Sequence, residues 1–167
     1  LDGDDLLIVD RGLDAVLRYT GGALRFSGSQ SYDSGFYLVS GNGNPRGITT
    51  DGYNIWVVND TRGTDRVYAY SDDAIYYGYW TVDSGNTRSR GITIDPNDVN
   101  HLWIVDSTSD AIYEYQDAVW RVSGSYAADT VYGLVGSNSN PQGISDPKPF
   151  QSSSQLTTAI DPISVAS

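Results

Sequence analysis

The sequence predicts an all-β protein built from short antiparallel strands, and three observations carry that prediction. The first is internal repetition. Residues 6–48 and 102–144 align without a gap at an offset of 96 positions, with 19 of 43 positions identical, and a looser third copy, NPRGITTDGYNIWVVNDTRGTDRVYAY, fills residues 44–70 between them. The second is composition. The chain holds 18 Gly and 13 Tyr, every acid but Glu114 is Asp, and every base but Lys148 is Arg. Glu and Lys favour helices whereas Asp favours turns and caps, so this is a composition of strands joined by polar turns. The third is periodicity: apolar runs are short and bounded by Gly, Pro, Asn or Asp, and no helical period extends beyond a couple of turns.

Each copy presents the same signals in the same order. It opens on Asn-Pro-x-Gly-Ile, as Asn44-Pro45-Arg46-Gly47-Ile48 and Asn140-Pro141-Gln142-Gly143-Ile144, shortened in the middle copy to Arg90-Gly91-Ile92. Proline fixes φ and pushes the residue before it toward extended geometry, so the loop enters a strand in one direction. Glycine suits a place where backbones crowd. A short first strand is expected at Gly47–Thr50 and Gly91–Ile94, closed by the Asp turns Asp51-Gly52 and Asp95-Pro96-Asn97-Asp98.

The second strand is apolar and ends in a carboxylate or amide: Leu6–Asp10, Ile55–Asn59, Leu102–Asp106. A polar turn closes on Asp14, Asp65 or Asp110. The third strand alternates at Ala15–Tyr19, Arg66–Tyr70 and Ala111–Tyr115. The fourth is the most variable. It is expected near Tyr76–Val82 in the middle copy, at Ala23–Phe26 or Phe36–Val39 in the first, and at Val119–Val122 or Val131–Val135 in the last. The outer copies also carry Ser-Gly-Ser insertions at Ser27–Ser29 and Ser123–Ser125.

Four short antiparallel strands per repeat of roughly 48 residues is the arithmetic of a β-propeller blade. The expected division is blades at about 1–43, 44–89 and 90–139, with a lone first strand at 140–145. Residues 146–167 follow as a Ser/Pro-rich linker or C-terminal arm. The first copy begins at its second strand and the last ends on a spare first strand. The chain is therefore read as about three blades, either part of a longer propeller or half of a ring completed by another chain. Starting at Leu1 with no Met, it reads as a processed or excised piece.

The lead-in Asn44-Pro45-Arg46-Gly47-Ile48, then Asp51-Gly52 before Ile55-Trp56-Val57-Val58, then Asp65-Arg66-Val67-Tyr68-Ala69-Tyr70, resembles the NHL-type propeller repeat. The resemblance covers residues 1–144, and the closing Asn-Pro-Gln-Gly-Ile-Ser-Asp-Pro is similar to the ends of such arrays in large bacterial secreted and surface proteins. It implies a propeller fold and an extracellular setting. It leaves activity open, since similar propellers include lyases, lactonases, receptor ectodomains and scaffolds. Tyr79-Trp80-Thr81-Val82 is similar to the YWTD propeller signature, but it falls in a different strand and lacks the Asp.

A net charge of −11 argues against nucleic acid or anionic membrane as partner, since both require a basic face. No apolar run approaches the ~20 residues of a membrane span. There is no Cys, hence no disulfide framework and no thiolate site. The near absence of Lys on a Ser/Asn/Gly-rich acidic chain points to a secreted or cell-surface location. Asn59-Asp60-Thr61 is a glycosylation sequon, relevant in a eukaryotic secretory host.

Candidate functional residues fall into three groups. Arg46, Arg90 and Gln142 share one position in the lead-in loop, at a rim of the central channel, where they can hold a carboxylate or a sugar acid or else pair with a neighbouring Asp. Tyr76, Tyr77, Tyr79 and Trp80 form the densest aromatic cluster, a carbohydrate or protein contact or else outer-strand packing. The acidic turns Asp10 and Asp14, Asp60 and Asp65, Asp106 and Asp110 can bind Ca²⁺ or cap their own backbone. No other cofactor is expected. His101, the sole histidine, sits in a turn without a second His or a Cys to share a metal. Nothing converges as a catalytic set. The expected function is a non-catalytic extracellular module for protein or glycan interaction, adhesion, or surface or filament assembly. The alternatives are a metal-dependent enzyme of the lyase or lactonase type and a self-assembling structural subunit that partners other copies of itself.

Overall fold

In a computed structural model the described residues are 3–61 and 63–146, so the arm expected at 146–167 lies almost wholly outside them. They form three antiparallel sheets, each one blade of a propeller. Blade 1 holds β1 (Leu6–Asp10), β2 (Ala15–Tyr19) and β3 (Ser34–Tyr37) in that order. Blade 2 holds β4 (Pro45–Thr50), β5 (Asn54–Asn59), β6 (Arg66–Ser71) and β7 (Tyr76–Thr81). Blade 3 runs from β8 (Ser89–Ile94) through β9 (Leu102–Asp106) and β10 (Ala111–Tyr115) to β11 (Thr130–Gly133).

The outer strands of blades 1 and 3 thus form at the later of the two expected positions. The earlier segments wind into 3-10 turns at Gly22–Leu24 and Ala118–Trp120. Gly21 (φ 63) and Asp117 (φ 51) introduce those turns in the left-handed conformation, which breaks an extended path.

Register explains the unbroken apolar runs of blade 2. Side chains alternate across a strand, yet both faces of this blade are covered. Ile55 and Val57 of β5 join Tyr68 and Tyr70 of β6 against Val16 and Leu38 of blade 1. Trp56 and Val58 point the other way, with Val67, Ala69 and Trp80, against Leu102, Ile104, Ala111, Tyr113 and Tyr115 of blade 3. A central blade is therefore a sheet buried on two sides, and its sequence loses the apolar–polar alternation of a half-exposed sheet.

The tertiary order repeats with the sequence. The carbonyl of Asp14, Asp65 or Asp110 accepts the N–H of Leu38, Val82 or Leu134 respectively, closing the outer strand of each blade in the same way. The last Tyr of the third strand in blades 2 and 3 reaches back to the preceding blade: Asn42 Nδ2 donates to Tyr70 Oη at 3.2 Å, and the backbone N–H of Asp83 donates to Tyr115 Oη at 2.9 Å.

The inner strands converge at β4 and β8, and glycine makes the convergence possible. A Cβ on Gly47 would stand 3.0 Å from the backbone of Arg90, Gly91 and Ile92. One on Gly91 would stand 2.8 Å from Gly143 and Ile144. Residues 140–145, expected as a lone first strand, thus lie against blade 3 where an inner strand belongs. They carry no strand pairing among the described residues, because a ladder needs a neighbour. Gly91→Ala is expected to destabilise by about 1–3 kcal/mol through overpacking of backbone on backbone. Urea denaturation checks this, and a loss below about 0.5 kcal/mol would contradict the convergence.

Candidate functional site: the inner rim, the acidic turns and the outer aromatic face

Two β-bulges set an arginine apart on the first strands of blades 2 and 3. Pro45 pairs with Asn59 and Gly47 with Val58, leaving Arg46 as the extra residue; Ser89 pairs with Asp106 and Gly91 with Val105, leaving Arg90. A bulge bends the strand and re-aims the extra side chain. Both guanidinium groups turn onto Asp60, at 3.5 Å from Arg46 and 3.1 Å from Arg90, and Arg90 Nε also donates to Ser107 Oγ at 3.0 Å. Asp60 is 4% exposed. It is therefore an inter-blade counter-ion, joining the inner strand of blade 2 to that of blade 3.

Aligning the copies shows why the two arginines differ in setting. The residue just after the second strand is Arg11 in blade 1, Asp60 in blade 2 and Ser107 in blade 3. Arg46 therefore has an acid on one side and another arginine on the other. Burial lowers its pKa most, the nearby Arg90 and Arg11 lower it further, and Asp60 opposes them. Its Nε is buried without a hydrogen-bond partner among the described residues. Gln142, the third expected rim residue, is exposed and donates locally to Asn140, away from the arginines.

The acidic turns face backbone donors. Asp10 Oδ1 accepts the N–H groups of Gly12 and Leu13, and Asp106 Oδ1 those of Thr108 and Ser109. Asp65 accepts from Thr61 at 2.9 Å and from Ser89 of the next blade at 2.6 Å; burial raises its pKa and these two donors oppose the rise. Asp110 accepts from Asn140 at 2.7 Å. Asp14 takes its turn with φ 48 and Asp110 with φ 49. Asn59, not Asp60, holds the turn position equivalent to Asp10 and Asp106: its Oδ1 accepts the N–H of Asn44. Among the described residues no group of three or more His, Asp or Glu converges as a metal site.

His101 does have a counterpart. It aligns with Asp5, and its neighbour Glu114 aligns with Arg18. Arg18 bonds Asp5 at 2.5–2.8 Å in blade 1, while His101 lies 3.6 Å from Glu114 in blade 3. The two copies thus carry one pair with its polarity reversed, a compensating exchange that identity counting misses.

The aromatic cluster divides. Trp80 is fully buried, edge-on to Tyr115 with ring centroids 4.9 Å apart, so it belongs to the core between blades 2 and 3 and not to a contact surface. Tyr76, Tyr77 and Tyr79 remain on the outside, with Arg66 over the Tyr79 ring at 4.4 Å. Tyr77 is a bulge residue, since Ala69 pairs with Gly78 and Tyr70 with Tyr76, and it is 47% exposed. The adjacent Gly78 abuts Val122, two residues from Trp120, which is 74% exposed. Tyr77 of blade 2 and Val122 and Trp120 of blade 3 are thus exposed apolar side chains on segments that meet at Gly78 and Val122, of which sequence reasoning located only Tyr77.

No protein-family model matches the chain, and no curated protein matches it. Among solved structures it is similar to the crystal structure of a nidogen/laminin complex, at 14% identity and a TM-score of 0.47; the match covers 86% of this chain and 64% of that one. No helix among the described residues is long and apolar enough to cross a membrane.

Proposed function

We propose that the chain is a non-catalytic, extracellular propeller module of NHL-like type whose outer face binds a protein or glycan partner. The observation that carries this reading is the exposure of Tyr77, Trp120 and Val122 on segments of blades 2 and 3 that meet at Gly78 and Val122. The first-copy equivalents Leu24 and Phe26 are exposed as well, at 61% and 99%. Repeated exposure of large apolar side chains at one blade position costs solubility unless a partner covers them, and aromatic residues supply most of the energy at such contacts. The acidic, Lys-poor surface supports the extracellular setting. Asp10, Asp65, Asp106 and Asp110 accept backbone N–H groups and Asp60 faces two arginines, whereas Asp14 Oδ1 is buried with no partner among the described residues; five of the six turn acids are thus engaged, which favours binding over metal-assisted hydrolysis.

The test is biolayer interferometry of the immobilised chain against purified extracellular-matrix proteins and acidic oligosaccharides. Saturable binding is expected, weakened about tenfold or more in Tyr77→Ser/Trp120→Ser. Equal binding by that variant, or Ca²⁺-dependent hydrolysis of a lactone by the wild-type chain, would sink the proposal.

A further inference from the structure

Blades 2 and 3 show how one blade grips the next. Thr81, ending β7, donates its N–H to Gly124 O at 2.8 Å and accepts the N–H of Tyr126 at 3.0 Å, so the Ser123–Ser125 insertion hooks the outer strand of the preceding blade. Asn86, fully buried, lies 3.5 Å from Tyr115 Oη. At the inner edge, Gly47 stacks on Gly91 and Gly91 on Gly143.

Blade 1 carries the same gripping parts, and no described residue occupies them. Its insertion Ser27–Ser29 holds Gly28 at φ 85, matching Gly124 at φ 89, yet Phe26 beside it is 99% exposed. Among the described residues no strand pairs with the inner side of β1, where Leu6 and Ile8 are 44% and 45% exposed. A groove of about 360 Å³ runs there between Leu6 and Leu7 on one side and Ile48, Thr49 and Thr50 on the other. The far side of blade 3 offers the matching halves. β11 is exposed along its length, Asn138 is exposed where Asn42 and Asn86 are buried, and a Cβ on Gly143 would meet nothing within 4 Å.

We propose that the open side of blade 1 is an interface for a second copy of this chain, which lays residues 141–145 along β1 as its inner strand and places β11 under the Ser27–Ser29 hook. The register follows from the internal blades. Gly47 faces Val58 and Gly91 faces Val105, so Gly143 faces Val9; Ile48 faces Val57 and Ile92 faces Ile104, so Ile144 faces Ile8. Asn138 meets Tyr19, as Asn42 meets Tyr70. Each copy gives one strand and receives one, so two copies close on each other with six blades, within the ~4–8 of known propellers. The interface continues the glycine stacking already present twice in the chain and the hook present once, and of the outer apolar positions it takes only Phe26.

Light scattering and sedimentation equilibrium of the full chain test this. The expected species has twice the 18.1 kDa chain mass. Gly143→Ala is the decisive variant. Its methyl group has free space within the chain, so thermal unfolding of dilute protein is expected to match wild type. In the assembly the methyl would meet Gly47 of the other copy, as a Cβ on Gly91 would meet Gly143, and association is expected to weaken about tenfold or more. Phe26→Asp is expected to weaken association similarly. Larger species that Gly143→Ala also disperses would support strand donation in an open array. A wild-type chain that stays monomeric at about 100 μM, far above a typical specific Kd, or association that Gly143→Ala leaves unchanged, would overturn the proposal.

Discussion

Trp80→Ala is expected to destabilise the chain by about 3–5 kcal/mol. Trp80 is 0% exposed and sits where three blade-2 side chains, Trp56, Val67 and Val82, meet Ile104 and Tyr115 of blade 3. Its ring stands edge-on to Tyr115 at 4.9 Å and to Tyr126 at 6.0 Å, with the Arg121 guanidinium 5.4 Å from its centroid. Removing it forfeits the burial of one of the two tryptophans of that cluster and opens a cavity that strands on both sides hold apart. For a chain of this length the loss corresponds to a fall in Tm of roughly 10 °C. Trp80→Phe is the informative partner. The indole N–H is buried without an acceptor among the described residues, so phenylalanine keeps the edge-on contact and removes an unsatisfied donor. Its cost is expected to be about 1.5 kcal/mol or less. Differential scanning calorimetry of the two variants checks both values; equal losses would show that ring packing does not hold the two blades together.

Asp60→Asn is expected to cost about 3–5 kcal/mol, because it withdraws the charge that two guanidinium groups share in a nearly buried setting. Arg90 keeps its bond to Ser107, whereas Arg46 is left facing Arg11 and Arg90 with no other acid among the described residues in ion-pair contact. The loss is therefore charge repulsion and stranded burial more than a missing hydrogen bond. That account makes a second claim. Asp60→Asn/Arg46→Gln/Arg90→Gln, which removes the whole triad, is expected to recover most of the stability, since a neutral polar set has no like-charge penalty. Urea unfolding of the single and triple variants decides it. A triple variant weaker than Asp60→Asn would mean the arginines stabilise the fold through packing of their stems.

The role of Asp60 was nearly legible. Read as one acid of a repeating turn, it looks like a cap or a Ca²⁺ ligand. Aligned one residue differently, with Asn59 beside Asp10 and Asp106, it falls opposite Arg11 and Ser107 and becomes a position of varying charge. The Asn-Pro-x-Gly pattern marked the position of Arg46 and Arg90, but the bulge that turns both onto Asp60 appears only in strand register. Gln142 shares the sequence position and not the environment, because no following strand holds its loop among the described residues. Trp80 and Tyr79 are adjacent in a strand, so alternation sends one into the core and the other to solvent; which one goes inward is set by pairing with Val67 and Tyr68.

The repeat alone determined the all-β class, the second and third strands almost residue for residue, and the need for glycine at positions 47 and 91. Those follow from local rules: alternation, turn chemistry and the steric limits of proline and glycine act within a few residues, and repetition prints them several times. Tertiary structure decided which of two candidate segments became each outer strand, which aromatic was buried, and which acid met the arginines. Those depend on what the neighbouring blade presents, and blade neighbours lie 30 to 50 positions apart in the chain, as the Arg90–Asp60 and Asp83–Ala128 contacts show at separations of 30 and 45.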